Sequence, residues 1–264
     1  MKNNMINSKY FTINRNGCSI RSKLYFIHPD SIRRIVISGH GFAGDKDNSS
    51  TQKLVDRMLP NNKDTAFVTF DWPGHGEDSR RLCLADCVKY LGAVTEYVKE
   101  TWQPEQLCAY GISFGAYTVL NSLAAEPCPF DRVVLRSPAV NMLYVLTENV
   151  MTEAERTLIE RRKDTLVGFA KKVRVTPEYV EEVHSSDIIH HDFRALQGKL
   201  LLLHGREDEI VPPEAVRQFA ADNGLDLLEF EHSDHRFRDA ARMSEALDYT
   251  VEFFTEQSFI RACP

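Results

Sequence analysis

The sequence predicts an α/β chain, with a mostly parallel sheet carrying helices on both faces. Three observations predict it. Strand-sized apolar runs alternate with helix-length amphipathic segments along most of the chain. The run Lys199 to His204 is almost entirely leucine, the composition of a strand buried on both faces. Short loops containing glycine follow several of the strands, at the edge where open α/β sheets gather their ligands.

In chain order, Lys9 to Phe26 alternates polar and apolar residues about Asn16-Gly17, a pair that supplies the positive φ angles of a tight turn. It reads as an antiparallel hairpin. Arg33 to Ser38 is the next strand, followed by His40-Gly41-Phe42-Ala43-Gly44 and a helix near Ser50 to Leu59. Thr65 to Phe70 is a strand ending in Asp71-Trp72-Pro73-Gly74-His75-Gly76. A long helix from about Leu82 to Trp102 has Leu84, Val88, Leu91, Val94, Val98 and Trp102 at helical spacing. Gln106 to Tyr110 is a strand and Phe114 to Ala125 a helix; Arg132 to Arg136 is a strand ending at Ser137-Pro138. After Lys199 to His204, the last strand is Asp226 to Glu231, and a helix from about Arg238 to Phe254 closes the chain.

The stretch from about Val140 to Gln197 breaks this rhythm. It has charged helical sequence (Thr152 to Lys163, Pro177 to Val183) and no convincing strand, so it reads as a helical cap inserted over the site. The expected organisation is a core of residues 1–139 and 198–264 with a cap of 140–197.

Composition narrows the function classes. With 264 residues and 43% apolar content, the chain can bury the core of one large domain. A formal charge of −6 gives no basic excess for phosphates, which argues against nucleic acid. The apolar runs fall short of the roughly 18 residues a membrane span needs. The N-terminus lacks the apolar centre of a secretory signal. Cysteines 18, 83, 87, 108, 128 and 263 are scattered, as expected of free thiols in a cytoplasmic protein. Cys83 and Cys87 lie four apart on a helix, but no second pair completes a zinc site, so no metal is expected.

The chemistry concentrates at Gly111-Ile112-Ser113-Phe114-Gly115, directly after a strand and directly before a helix. A serine on so tight a turn projects its hydroxyl from the sheet edge, and glycine two residues either side removes the clash a side chain would make. The helix that follows presents its amides and positive dipole end. A serine hydroxyl needs a base. Of nine histidines, His235 is best placed, in a loop between the last strand and the final helix. His232, nearer the strand end, is expected to be directed into packing. His40 and His75 belong to glycine loops explained by backbone geometry. His184, His190 and His191 fall in the insertion and are expected to be solvated; His28 and His204 read as structural. The carboxylate that orients the base is expected after the penultimate strand. There the G-x-x-D-x-x-V-P spacing selects Asp208 over its neighbours Glu207 and Glu209. Two oxyanion donors complete the constellation: the amide of Phe114 and, from the loop after Arg33 to Ser38, the amide of Phe42, with Gly41 letting that backbone turn toward the substrate.

These residues, in this order and over nearly the whole chain, resemble the α/β-hydrolase superfamily. The similarity is greatest to small bacterial esterases and to acyl-peptidase-like or feruloyl-esterase-like members with a helical cap after the sixth core strand. The resemblance implies acyl transfer to water through an acyl-serine, with no cofactor and a small acyl ester as substrate. Two features depart from the pattern: the N-terminal strands read as short for an eight-stranded sheet, and the insertion carries no substrate motif. A thioesterase or small-peptide hydrolase shares the same machinery. The basic residues Arg161, Arg162, Lys163, Lys171 and Lys172 suit the phosphates of coenzyme A, although a charged run is more simply a solvated face. A catalytically silent binding module is the non-enzyme alternative. Met142, Leu143, Tyr144, Phe169 and Tyr179 are expected to anchor the cap to the core. Oligomeric state leaves no mark on the sequence.

Overall fold

The computed structural model describes residues 5–256. Eight strands form one sheet in the order β1 (Asn7–Arg15), β2 (Cys18–Phe26), β4 (Thr65–Phe70), β3 (Arg34–Gly39), β5 (Gln106–Ile112), β6 (Arg132–Arg136), β9 (Leu200–Gly205), β10 (Asp226–Phe230). The hairpin β1–β2 turns at Asn16 and Gly17, both with positive φ, and β2 pairs antiparallel with β4. From β4 to β10 every pairing is parallel. The N-terminal strands are nine residues each, so the hairpin that reads as short in sequence completes the eight-stranded sheet. Cys263 and residues 1–4 lie outside the described residues.

The inner parallel strands are buried on both faces, which is why they read as continuous apolar runs, while the edge strand β10 is half-buried. Alternate residues part into two cores. Ile35, Ile37, Val68 and Leu135 pack with α2 (Leu84–Trp102), α3 (Phe114–Ala125) and α7 (Pro213–Asn223). Val36, Phe67, Val134 and Leu203 pack with α1 (Ser49–Met58) and α8 (Ala240–Thr255). The helix α7 has no counterpart in the sequence reading. Its marks are Pro213 at the first turn and Gly224 in the left-handed C-cap, a proline–glycine bracket around a short amphipathic segment.

The chain leaves the sheet after β6 and returns at β9. Between them lie α4 (Met142–Tyr144), continued by a π-helical turn over Val145–Val150, then α5 (Glu153–Glu160) and α6 (Pro177–Ser185). The capping box of Thr152 and Glu155 starts α5, and Thr176 caps α6 ahead of Pro177. The expectation of a segment without strands is corrected here. β7 (Thr165–Val167) and β8 (Val173–Val175) pair antiparallel as a separate two-stranded sheet. Three residues are too few to show an alternation, so sequence periodicity gives no sign of them.

β4 and β5 flank β3 on opposite sides, so the strand order reverses there and a crevice opens beyond the carboxyl ends of β3 and β5. Gly39 and Gly111 are paired at those ends.

Candidate active site

Ser113 sits between β5 and α3 with φ 53° and ψ −111°, a conformation costly for a residue with a side chain. The crowding explains the flanking glycines. A Cβ on Gly115 would come within 2.7 Å of the His40 carbonyl oxygen and closer still to that of Gly39. One on Gly111 would lie 2.7 Å from the Cα of Ala116. The Ser113 N–H donates to the Arg136 carbonyl at 2.9 Å, tying the turn to the end of β6.

Three side chains from three strand ends form one hydrogen-bonded chain. His235 Nε2 lies 3.0 Å from Ser113 Oγ, and His235 Nδ1 lies 2.8 Å from Asp208 Oδ2. The Asp208 carboxylate is fully buried, and its Oδ1 also accepts from the amides of Ile210 (2.9 Å) and Val211 (2.7 Å). Asp208 can only accept from Nδ1, so the proton resides there and the Nε2 lone pair faces the serine hydroxyl. The backbone of His235 is fixed as well. Its carbonyl accepts from Ser137 Oγ at 3.0 Å and its N–H donates to Glu209 at 3.1 Å. Neither contact is visible in sequence, because Ser137 reads there only as the end of a strand.

The rival histidines fall elsewhere. His232 is exposed, with Nδ1 3.0 Å from Glu207, which corrects the expectation that it packs inward; its positive φ turns it out of the strand. His184, His190 and His191 are exposed. His204 lies beneath Asp208, donating from Nε2 to the Val211 carbonyl at 3.1 Å with Oδ2 of Asp208 3.6 Å away. Burial lowers its pKa.

His40 and His75 do more than occupy turns. His40 is buried, and burial reinforced by the neighbouring His75 lowers its pKa to about 3, so its ring is neutral. Nδ1–H donates to the Gly41 carbonyl at 2.8 Å, and Nε2 accepts from the Trp72 N–H at 3.4 Å. The Gly41 carbonyl also receives the Gly44 N–H at 3.0 Å. A trans peptide directs its N–H opposite its C=O, so the Phe42 amide faces away from His40. His75 stacks on Phe114 (centroids 5.5 Å apart, planes at 14°) and meets Phe42 edge-on at 5.6 Å. One aromatic cluster thus backs both expected oxyanion donors. The site of a Cβ on Gly41 lies 3.6 Å from Ser113 Cβ, so this loop runs beside the serine.

A cavity of about 820 Å³ opens at Ser113 and His235. Its lining combines an apolar set, Met142, Val145, Leu146, Val150, Phe169 and Ile210, largely from the segment after β6, with a polar set, Asn48, Ser50, Lys53, Arg136 and Arg238, largely from α1 and the strand ends. The residues expected to anchor the cap therefore divide. Tyr179 is buried in the core, Leu143 packs half-buried against it, Met142 is buried in the core while also lining the cavity, Phe169 lines the cavity, and Tyr144 is exposed. Of the basic residues weighed for coenzyme A, Arg162 pairs with Glu178 and Glu181, Lys171 with Asp45, and Lys172 with Glu155. Among the described residues no group of three or more His, Cys, Asp or Glu is placed to hold a metal ion. No helix among them is long and apolar enough to cross a membrane.

Solved structures share this architecture. Est1E from Butyrivibrio proteoclasticus, determined with ferulic acid bound, superposes with a TM-score of 0.76 at 19% identity, covering 94% of this chain and 98% of that one. A putative hydrolase from Agrobacterium vitis S4 gives 0.72 at 16% identity over 95% and 99% of the two chains. Alpha/beta hydrolase domain-containing protein 10 from mouse gives 0.69 at 17% identity, over 95% and 100%. No curated relative matches the chain. Identities this low speak for the fold alone; the family follows from the sequence itself. Residues 61–259, from ahead of β4 to beyond α8, match the prolyl oligopeptidase family, and the chain belongs to that family of serine hydrolases with the α/β-hydrolase fold.

Proposed function

We propose that this hydrolase cleaves a carboxylic ester through an acyl-serine intermediate, with Ser113 as nucleophile, His235 as general base and Asp208 as the group that orients it. The observation that carries this reading is the 3.0 Å contact between Ser113 Oγ and His235 Nε2, with Asp208 on the far nitrogen. Ser113 Oγ attacks the carbonyl carbon while Nε2 takes its proton; Asp208 stabilises the imidazolium without being protonated. The amides of Phe42 and Phe114 receive the oxyanion, the first held by the His40 grip on the Gly41 carbonyl and the second by the start of α3. His235 then protonates the leaving group. Water attacks the acyl-serine by the same route and releases the acid. Residues 140–197 act as the cap, whose apolar side chains meet the acyl group.

An amide substrate is the second reading, favoured by the family match to prolyl oligopeptidases. Rates on 4-nitrophenyl acetate, an acyl-CoA and an aminoacyl anilide separate ester, thioester and peptide preferences. Ser113→Ala is expected to abolish turnover and labelling by a fluorophosphonate while leaving the circular dichroism spectrum unchanged. Full turnover in that variant refutes the assignment, and a wild-type chain that takes no label is a silent fold.

A further inference from the structure

Arg136 ends β6 on the face of the sheet covered by α1 and α8, and only 2% of it is exposed. Its guanidinium donates to Ser50 Oγ at 2.9 Å and to Met243 Sδ at 3.4 Å. It lies 5.5 Å from the centroid of the Phe237 ring and beside the buried Tyr110 phenol. Its Nε has no hydrogen-bond partner, and among the described residues no carboxylate forms an ion pair with it. Glu209, the one carboxylate on the cavity wall, is turned to the His235 N–H at 3.1 Å and lies 3.9 Å from Arg238. A buried cation ordinarily has an anion beside it, because desolvation is otherwise uncompensated. Contact with Phe237 offsets only part of that cost.

The place of this charge matters. Arg136, Ser50 and Phe237 all line the cavity that holds Ser113. The first turn of α1, capped by Asn48, adds the positive end of a ten-residue helix beside Ser50, and the exposed Lys53 also lines the cavity, whereas Arg238 is paired with Asp234 at 2.7 Å. Ile112 and Arg136 are register partners on adjacent strands, which run about 4.8 Å apart. The nucleophile and the guanidinium's strand end are thus within reach of one small molecule.

We propose that the polar lining of the cavity binds a carboxylate carried by the substrate, with Arg136 as buried anchor and Ser50 beside it. The inference rests on Ser113 being the nucleophile of the same cavity, and it defines the substrate class as a carboxylate-bearing ester or amide. A guanidinium meets a carboxylate with two parallel N–H···O bonds. One buried guanidinium balances one carboxylate.

The test uses two pairs of substrates that differ by one carboxylate: phenyl acetate with 3-acetoxybenzoate, and diethyl glutarate with monoethyl glutarate. The wild-type chain is expected to prefer the anionic member of one pair by about tenfold or more in kcat/KM. That preference is expected to fall about tenfold in Arg136→Met and several-fold in Ser50→Ala, mainly through KM. A purely structural Arg136 lowers both members alike and leaves the ratio unchanged. No preference in either pair, or a ratio indifferent to both substitutions, overturns the proposal. If Arg136→Met does not fold, Ser50→Ala and Lys53→Met decide by the same ratio. If no ester turns over at all, the hydrolase reading fails separately. Calorimetric titration of Ser113→Ala with glutarate then settles the carboxylate seat: saturable binding weakened by Ser50→Ala sustains it, and no binding overturns it.

Discussion

His75 offers a perturbation whose size follows from its surroundings. The ring is 2% exposed, wedged among Phe42, Phe114 and His40, and burial lowers its pKa from 6.5 to about 4. In the unfolded chain the group titrates near 6.5. Between those values the unfolded state binds a proton that the folded state does not, so stability is full above the unfolded pKa and is lost as pH falls toward the folded one. Moving from about pH 7 to about pH 5 therefore removes about 2 kcal/mol through this one residue. His40, held near 3, acts in the same direction, so the wild-type loss exceeds that of His75 alone. His75→Phe isolates the difference. It keeps a ring against Phe114, removes the buried Nε2 that has no partner, and forfeits one hydrogen bond to the Pro73 carbonyl at 3.0 Å. Urea unfolding near pH 7 and near pH 5 reads the outcome. The variant is expected to lose about 2 kcal/mol less than wild type across the interval, with the denaturant slope unchanged. An identical acid loss in the two proteins refutes the reasoning.

Two further predictions follow from the same loops. Gly115→Ala places a Cβ 2.7 Å from the His40 carbonyl oxygen, so α3 must move off the loop that carries the Phe42 amide. A cost of about 1–3 kcal/mol in unfolding free energy is expected, together with a loss of kcat; an active, equally stable variant contradicts the close packing. Asp208→Asn keeps an oxygen for the Ile210 and Val211 amides but puts an NH₂ where Oδ2 meets Nδ1, leaving only the oxygen at 3.0 Å, already shared with those amides, to hold the proton on Nδ1 and so favouring the wrong tautomer of His235. A fall in kcat of roughly 10⁴-fold with little change in stability is expected, and a small effect on kcat removes Asp208 from its assigned role.

Local signals made much of this fold legible. The leucine run at β9 announces a strand covered on both faces, and Asn16-Gly17 fixes its hairpin to the residue. Gly111 is legible for a local steric reason, since a Cβ there would meet Ala116 of the same strand-turn-helix, whereas a Cβ on Gly115 would meet Gly39 and His40 of a neighbouring strand end, so that glycine is legible only through the motif. The three-residue strands β7 and β8 lack the length to show a period, and α7 is marked only by its proline and glycine brackets. His40 fails to stand out for a different reason. Its hydrogen bonds go to backbone atoms of Gly41 and Trp72, and a backbone partner leaves no residue type to recognise.

Arg136 shows where a one-dimensional pattern ends. In sequence it closes an apolar strand, and an arginine at a strand end reads as a charge turned to water. Burial comes from Ser50, 86 positions earlier, and Met243, 107 positions later, brought over it when α1 and α8 cover the same face of the sheet. Helix packing converts a surface charge into a buried one without a counter-ion, and it does so on the wall of the cavity that holds Ser113. An apolar lining such as that of Met142 and Leu146 discriminates by size alone, worth only about 1–3 kcal/mol per methylene. A buried guanidinium discriminates more sharply, because a substrate without the matching anion leaves it unpaired. On the proposed carboxylate seat, specificity is expected to lie more with Arg136 and Ser50 than with the apolar residues of 140–197, and exchanging those apolar residues is expected to alter chain-length preference while the carboxylate preference persists.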